Sequence, residues 1–355
     1  MRRSVASVNE DADATFLKVA SYYWHPVARS IDLPPGAVVP ARLLGRDLAL
    51  FRDAAGRANA VEDLCSHRGT RLSRGDVDGN GCLRCPYHGW AFRGDGSCVD
   101  IPQLPPERSI PAQADVTSFR VSEYAGLVWT CLVDEETQRR ERPTWPVIEA
   151  GTHWVHVGVV YPWQVQASRQ IENFCDVAHF SVLHADTFGN ARVTEVESFH
   201  VDVSLDGHHL AFDYAYPSLD PTVDPGPGGA RPEVGTNFEY RVELPFTVAL
   251  AGASGPGSVM CVAASPVSAT EMNLFWLCAF PLGVEVDAEA YEDLEARIFL
   301  PDQEIVESQR PERLPLDLLE ELHLPFDRFA VAYRRQLQAI GFAIPGRTFT
   351  NVHAD

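Results

Sequence analysis

At 355 residues, with 45% apolar and 22% charged side chains, the chain has the makeup of a folded globular protein of about two domains, which excludes disordered and fibrous classes. Acidic residues outnumber basic ones by 49 to 29, and the net charge of -20 repels a phosphate backbone and an anionic lipid surface alike, so neither nucleic acid nor membrane is an expected partner. No apolar stretch approaches the ~18 residues of a membrane span. Met1 to Glu10 carries Arg2 and Arg3 without the apolar run of a secretory signal, and a cytoplasmic setting is expected.

Residues 1–36 read as an N-terminal segment packing on the second domain, 37–145 as a first domain and 146–355 as a second. From Ala37 to Val133 short β-rich runs alternate with turn residues: Val38-Val39, Leu43-Leu44, Leu48 to Phe51, Ala58 to Val61, Arg120 to Tyr124 and Leu127 to Val133. That is the pattern of an all-β unit. Of the eight cysteines, Cys65, Cys82, Cys85 and Cys98 fall within 34 residues, interleaved with His67 and His88. Cys131, Cys175, Cys261 and Cys278 sit in apolar surroundings and read as buried small hydrophobes, as structural residues do Cys82 and Cys98. Cys65-x-His67 and Cys85-x-x-His88, with 17 residues between, could bring two loops to one metal centre. Thiolate and imidazole suit iron–sulfur clusters and zinc alike, so ligand types leave both open.

The charged, proline-bearing stretch Asp134 to Pro146 marks a domain border. Beyond it an α+β pattern is expected: a strand over Trp154 to Tyr161, a helix around Gln164 to Leu183, β-patterned runs at Val193 to Leu205, Leu210 to Tyr216, Asn237 to Glu243, Thr247 to Ala251, Val259 to Ala264 and Met272 to Phe280, then helix again. On that first helix Asn173, Asp176, His179 and His184 crowd together. The histidines stand five apart, ~140° on an ideal helix, so one ion can take both only where the helix ends or bulges. Pro217 to Gly235, with five prolines and four glycines, is a long loop of the kind that covers a binding site. Gly252 to Gly257 joins two strands as a hairpin turn and opens no helix; with no dinucleotide fingerprint elsewhere, a reducing nicotinamide would be held by another protein. Asp287 is a plausible N-cap for Ala288 to Leu300, and Phe326, Phe329, Tyr333, Leu337 and Ile340 keep helical spacing. Between these, Asp302, Ile305, Val306 and Gln309 form one stripe while Glu304 and Glu307 project elsewhere. Asp302 is therefore the acid expected to be buried, and a buried carboxylate is paired or metal-bound. A first-turn aspartate satisfying backbone donors after Pro301 is the alternative.

The segment Cys65 to Trp90, extended through Phe92 and the Gly94 to Gly96 turn, resembles the Rieske fingerprint. That resemblance implies a [2Fe–2S] cluster with Cys65 and Cys85 on one iron and His67 and His88 on the other. Thr70 and Tyr87 stand where respiratory Rieske proteins carry an extra disulfide, so the likeness is to the oxygenase and ferredoxin branch. Downstream, Asn173-x-x-Asp176-x-x-His179-x-x-x-x-His184 is similar to the signature of Rieske non-haem iron oxygenases. The family likeness implies an all-β Rieske domain beside a helix-grip, START-like catalytic domain, and a mononuclear Fe(II) on His179, His184 and Asp302. It implies that Asp176 links the two metal centres and that Asn173 lies close to the iron without binding it. It also implies O₂ as co-substrate, NAD(P)H electrons through a partner ferredoxin or flavin reductase, and head-to-tail homotrimers. The Cys65 to Gly69 loop, the Asn173 to His184 stretch and Glu307 to Pro311 through Arg334-Arg335 resemble single-subunit-type monooxygenases such as caffeine N-demethylases and saxitoxin-pathway hydroxylases. Hydroxylation, or N- or O-demethylation, of a small-to-medium organic substrate is the expected activity. Phe180, Phe188 and Trp276 are candidate cavity walls. The rivals are a Rieske electron-transfer or structural metal protein without oxygenase activity, and a zinc protein with a hydrolytic site.

Overall fold

The computed structural model describes residues 5–133, 139–224, 226 and 229–344. Contacts divide the chain into two compact units, Ala20–Arg142, and Met1–Val19 together with Pro143–Asp355. The border falls inside the charged stretch Asp134 to Pro146, of which residues 134–138 lie outside the described residues.

The smaller unit is all β apart from short 3-10 turns. Six antiparallel strands lie in the order His25–Arg29, Leu127–Cys131, Ser118–Tyr124, Ala58–Glu62, Arg46–Arg52 and Val38–Leu43. Sequence reading grouped residues 20–36 with the segment ahead of them, but His25–Arg29 pairs with Leu127–Cys131 and so belongs to this sheet. A strand cannot leave its backbone donors and acceptors unmet, and its partner decides which unit owns it. A second, four-stranded sheet of short strands, Asp76–Val77, Leu83–Arg84, Ala91–Phe92 and Cys98–Asp100, carries the second cysteine loop between its middle strands. Phe51, Val61, Leu72, Leu83 and Phe92 form an apolar cluster that includes Cys65, Cys85 and Cys98.

In the larger unit an eight-stranded antiparallel sheet is built largely from consecutive hairpins, from Asp202–Val203 through His209–Leu219, Glu233–Glu243, Thr247–Ala251, Val259–Pro266 and Met272–Pro281 to His153–Val157. Tyr161–Trp163 pairs with Met272–Pro281 as well. Alternate residues Leu210, Phe212, Tyr214 and Tyr216 are buried, the two-residue period of a sheet with one covered face. Of the run Val193 to Leu205 only Asp202–Val203 is strand, the remainder being irregular. Gly252 to Gly257 does connect paired antiparallel strands. The proline-rich loop is shorter than its composition suggests, since both flanking strands run into it as far as Leu219 and Glu233.

The covering helices begin with Val5–Ala20, whose Phe16 ring packs at a tilt against Phe246 and Phe342 with centroids 5.6 Å away in each case. The long helix Ala288–Ser308 is capped by Asp287, which accepts from the backbone N–H of Glu289 and Ala290. It runs on through Pro301, so Asp302 sits mid-helix and not in a first turn. The buried stripe is Tyr291, Glu295, Phe299, Asp302 and Val306; Ile305, expected on it, is exposed. Helix Arg328–Leu337 brings Arg334 inward, where at 2% exposure its guanidinium bonds Glu172 at 2.5 and 2.7 Å and Glu321 at 2.5 Å. Burial works against that charge, yet the two carboxylates raise its pKa above the ordinary value. Arg169 bonds Glu321 at 2.8 Å, so the same network grips the Ala167–Phe174 helix twice.

Candidate metal centres and substrate cavity

In the β unit, the two cysteine loops are near copies of one another. The Cys65 N–H donates to the Thr70 carbonyl at 2.8 Å and the Gly69 N–H to the Cys65 carbonyl at 2.9 Å. The Cys85 N–H donates to the Trp90 carbonyl at 2.8 Å and the Gly89 N–H to the Cys85 carbonyl at 3.0 Å. Each loop closes through a glycine at positive φ, 68° for Gly69 and 76° for Gly89, a conformation in which a Cβ is strained. Cys65 and Cys85 are buried, whereas His67 and His88 are half-buried with their Nδ1 atoms 3.2 Å from each other. Trp90 stacks flat on His67 at 4.6 Å between centroids.

This donor set discriminates between one metal and two. Donors around a single zinc lie at most about 4.6 Å apart, twice the ~2.3 Å Zn–S bond. Among the described residues the three whose ligand atoms all fall within 4.8 Å are His179, His184 and Asp302, and no three of Cys65, His67, Cys85 and His88 qualify. Two thiols at the buried end and two imidazole nitrogens facing each other at the outer end fit two irons in a row. Burial, joined by the neighbouring Cys85 thiol, holds the Cys65 thiol above its ordinary value against the lowering effect of the His67 and Arg68 backbone N–H groups.

In the larger unit the expected helix over Gln164 to Leu183 is broken. It stops at Phe174, and a second, four-residue turn spans Phe180–Leu183 with His179 and His184 at its two ends. The break removes the ~140° separation that a continuous helix would impose. His179 and His184 meet Nε2 to Nε2 at 3.1 Å, and Asp302 Oδ1 lies 3.6 and 3.3 Å from them. Asp176 Oδ2 is 2.9 Å from His179 Nδ1 and accepts its N–H, which leaves the Nε2 lone pair facing His184 and Asp302. Burial alone would raise the Asp176 carboxyl, but the His179 bond holds it below its usual value. Asp302 Oδ1 is buried without a hydrogen-bond donor, and it converges with the two Nε2 atoms in an arrangement that a bound cation would satisfy. The residues therefore fit a mononuclear metal. Asn173 lines a cavity of about 230 Å³ together with Asp176 and His179.

That substrate space is a cavity of about 610 Å³ onto which His179, His184 and Asp302 open. Phe180, Phe188, Phe238 and Leu250 contribute to its walls, as do Leu219 to Thr222 and Val234 to Thr236 at the roots of the proline-rich loop. Trp276 is buried outside the lining, against Tyr291 and Phe299. Sequence reasoning missed Glu295, a wall residue only 4% exposed, for which the sole signal was its place seven residues before Asp302.

Residues 23–120 match the Rieske [2Fe-2S] domain and residues 163–341, half of the chain, match the vanillate O-demethylase oxygenase C-terminal domain. The chain is 28% identical to methylxanthine N1-demethylase NdmA of Pseudomonas putida over 90% of its own length and 88% of the relative's. It is likewise 28% identical to methylxanthine N3-demethylase NdmB of the same organism, over 94% and 93%. The structure of NdmA from Pseudomonas putida CBB5 with caffeine superposes with a TM-score of 0.76 at 26% identity, over 90% of this chain and 91% of that one. No described helix is long and apolar enough to cross a membrane. With a Rieske domain followed by a vanillate O-demethylase-type catalytic domain, an α+β fold and a converged two-histidine, one-carboxylate site, the chain belongs to the Rieske oxygenases, oxidoreductases that pair a [2Fe–2S] cluster with a mononuclear iron and O₂.

Proposed function

We propose that the chain is the oxygenase component of a reductase-coupled monooxygenase that hydroxylates, or oxidatively N- or O-demethylates, a small-to-medium organic molecule. The observation that carries this reading is the convergence of His179 Nε2, His184 Nε2 and Asp302 Oδ1 at the wall of a largely apolar 610 Å³ cavity. In this reading Cys65, Cys85, His67 and His88 hold the cluster, and His179, His184 and Asp302 hold the iron. Those groups, when bound, supply one-electron transfer and oxygen activation. The balance is one C–H bond plus O₂, two electrons and two protons giving C–OH and water; on an N- or O-methyl group the resulting hydroxymethyl leaves as formaldehyde.

The protein's own contributions are positional. Asp176 holds the His179 ring by its Nδ1 proton, and the aromatic walls around Phe180 and Phe188 keep water from the reacting carbon. Asp176 is also proposed as the carboxylate that links the two centres across a subunit boundary in a homotrimer, with Asn173 beside it. A partner ferredoxin or flavin reductase carrying NAD(P)H electrons and a cytoplasmic location complete the proposal.

The test is reductant-coupled O₂ uptake by the purified chain with a generic ferredoxin reductase across a panel of N-methyl, O-methyl and unsubstituted aromatic compounds. Stoichiometric formaldehyde or hydroxylated product supports the reading. Cluster reduction and reoxidation without any oxygenated product across the panel would instead favour a pure electron-transfer protein.

A further inference from the structure

The lining of the substrate cavity includes a buried acid that the iron site does not use. Glu295 lies on the inner face of the Ala288–Ser308 helix, between Tyr291 one turn before and Phe299 one turn after, and it lines the cavity. Both neighbouring rings are backed by Trp276, at 5.9 and 5.8 Å, so the carboxyl stands on a rigid apolar wall. Its hydrogen-bond partner among the described residues is Tyr291, whose hydroxyl is also 2.8 Å from Ser254 Oγ. A carboxyl group has about four acceptor positions, so most of this one is left for whatever occupies the cavity.

No arginine or lysine lines the cavity among the described residues, while Asp220, Glu295 and Asp302 all do. Asp302 converges with His179 and His184 on the proposed metal site, whereas Glu295 has no arginine or lysine beside it in the described lining. Burial pushes the Glu295 carboxyl up to about 7, against a small opposing effect of the Tyr291 bond. An acid kept in an apolar wall without a partner disfavours any second anion and favours a ligand that brings a positive charge. The rings of Tyr291 and Phe299 beside it add faces that attract a cation.

We infer that Glu295 is the polar anchor of the substrate cavity, and that the cavity selects substrates carrying a protonatable amine and rejects carboxylates. The inference rests on the proposed oxygenase reading and names the class of substrate for that site. Glu295 precedes Asp302 by seven residues, about 10 Å along the helix. The anchored amine is therefore not the group oxidised at the metal but lies roughly a ring's width from it. Glu295 acts as a specificity residue, holding one end of the substrate so that the other faces the metal.

The test is equilibrium binding, by calorimetry, to the metal-loaded full chain kept anaerobic and without reductant, so that turnover plays no part. Three probes of nearly equal size are used: N,N-dimethylbenzylamine, its carbon isostere isobutylbenzene, and phenylacetate. Wild-type protein is expected to bind the amine at least tenfold more tightly than isobutylbenzene and phenylacetate. Glu295→Gln is expected to abolish that preference while leaving isobutylbenzene affinity and the visible spectrum of the cluster unchanged. Equal wild-type affinity for amine and isostere, tighter binding of phenylacetate, or an amine preference that survives Glu295→Gln would each overturn the inference. Should the variant not fold, the ranking of the three probes on the wild type decides. A wild-type amine preference combined with no oxygenated product in the panel above would sink the oxygenase reading alone.

Discussion

The two candidate metal sites are built in opposite ways. In the β unit each pair of proposed ligands comes from one tight loop, closed on itself by two backbone hydrogen bonds and a glycine in the left-handed region, so residues two or three apart in sequence carry most of the geometry. In the larger unit the third proposed ligand is Asp302, more than a hundred residues after His184, and the two histidines are aligned only because a helix breaks. A site made of local loops tolerates change in its surroundings. An assembled site depends on the long helix, the sheet and the buried ion pairs that hold the pieces in register.

The sharpest way to break the comparison is His179→Ala. It is expected to remove the mononuclear metal and lower turnover by at least ~10²-fold, beyond the range for loss of an outer-shell partner, while the cluster's visible absorption stays. Iron and acid-labile sulfide assays beside the spectrum check it, and bleaching would mean the two sites are not separate. Arg334→Met comes next, since it strips the half-buried Glu172 of its guanidinium and leaves Glu321 to Arg169 alone. Breaking a buried pair in this way costs about 3–5 kcal/mol, so the melting temperature should drop by several degrees or the variant should not accumulate. A melt within 1 °C of wild type, on the order of the error of the measurement against that cost, would show that the network does not hold the helix. Asp176→Asn should retain both metals and slow single-turnover reoxidation of the cluster about 10–100-fold, the range for an outer-shell partner. Unchanged single-turnover rates would leave Asp176 a merely structural role. The smallest effect is Gly89→Ala: a non-glycine residue in the left-handed region costs about 1–2 kcal/mol. Faster loss of cluster absorbance on mild heating is the expected readout, with the mononuclear metal content unaffected.

How much of each site was legible in the sequence follows from the same contrast. Cys65, His67, Cys85 and His88 and their glycines could be read directly, because the loops they form are local. Asp176, His179 and His184 could be read as a group, yet a helical wheel set the histidines ~140° apart, and only the break after Phe174 brings their Nε2 atoms to 3.1 Å. Asp302 was legible as a buried acid, though not for the stripe expected of it: Ile305 faces out and Glu295 faces in. Periodicity alone cannot distinguish a solvated glutamate from one lining a cavity, since both occupy a polar position in the pattern. The strand His25–Arg29 was likewise illegible as part of the β unit, because its partner Leu127–Cys131 lies about a hundred residues away.

The amino-acid order alone determined what depends on neighbours along the chain: the turn geometry of the cysteine loops, the Asp287 cap, the hairpins and the ligand chemistry of each cluster. Tertiary structure alone decided what depends on groups far apart in sequence meeting: which helix ends where, which carboxylate completes the metal site, and which acid is left facing the cavity without a countercharge. The reason is physical. Local hydrogen bonds and backbone preferences act over a few residues, whereas burial, and with it the charge state and partner of every inward-facing group, is a property of the packed whole.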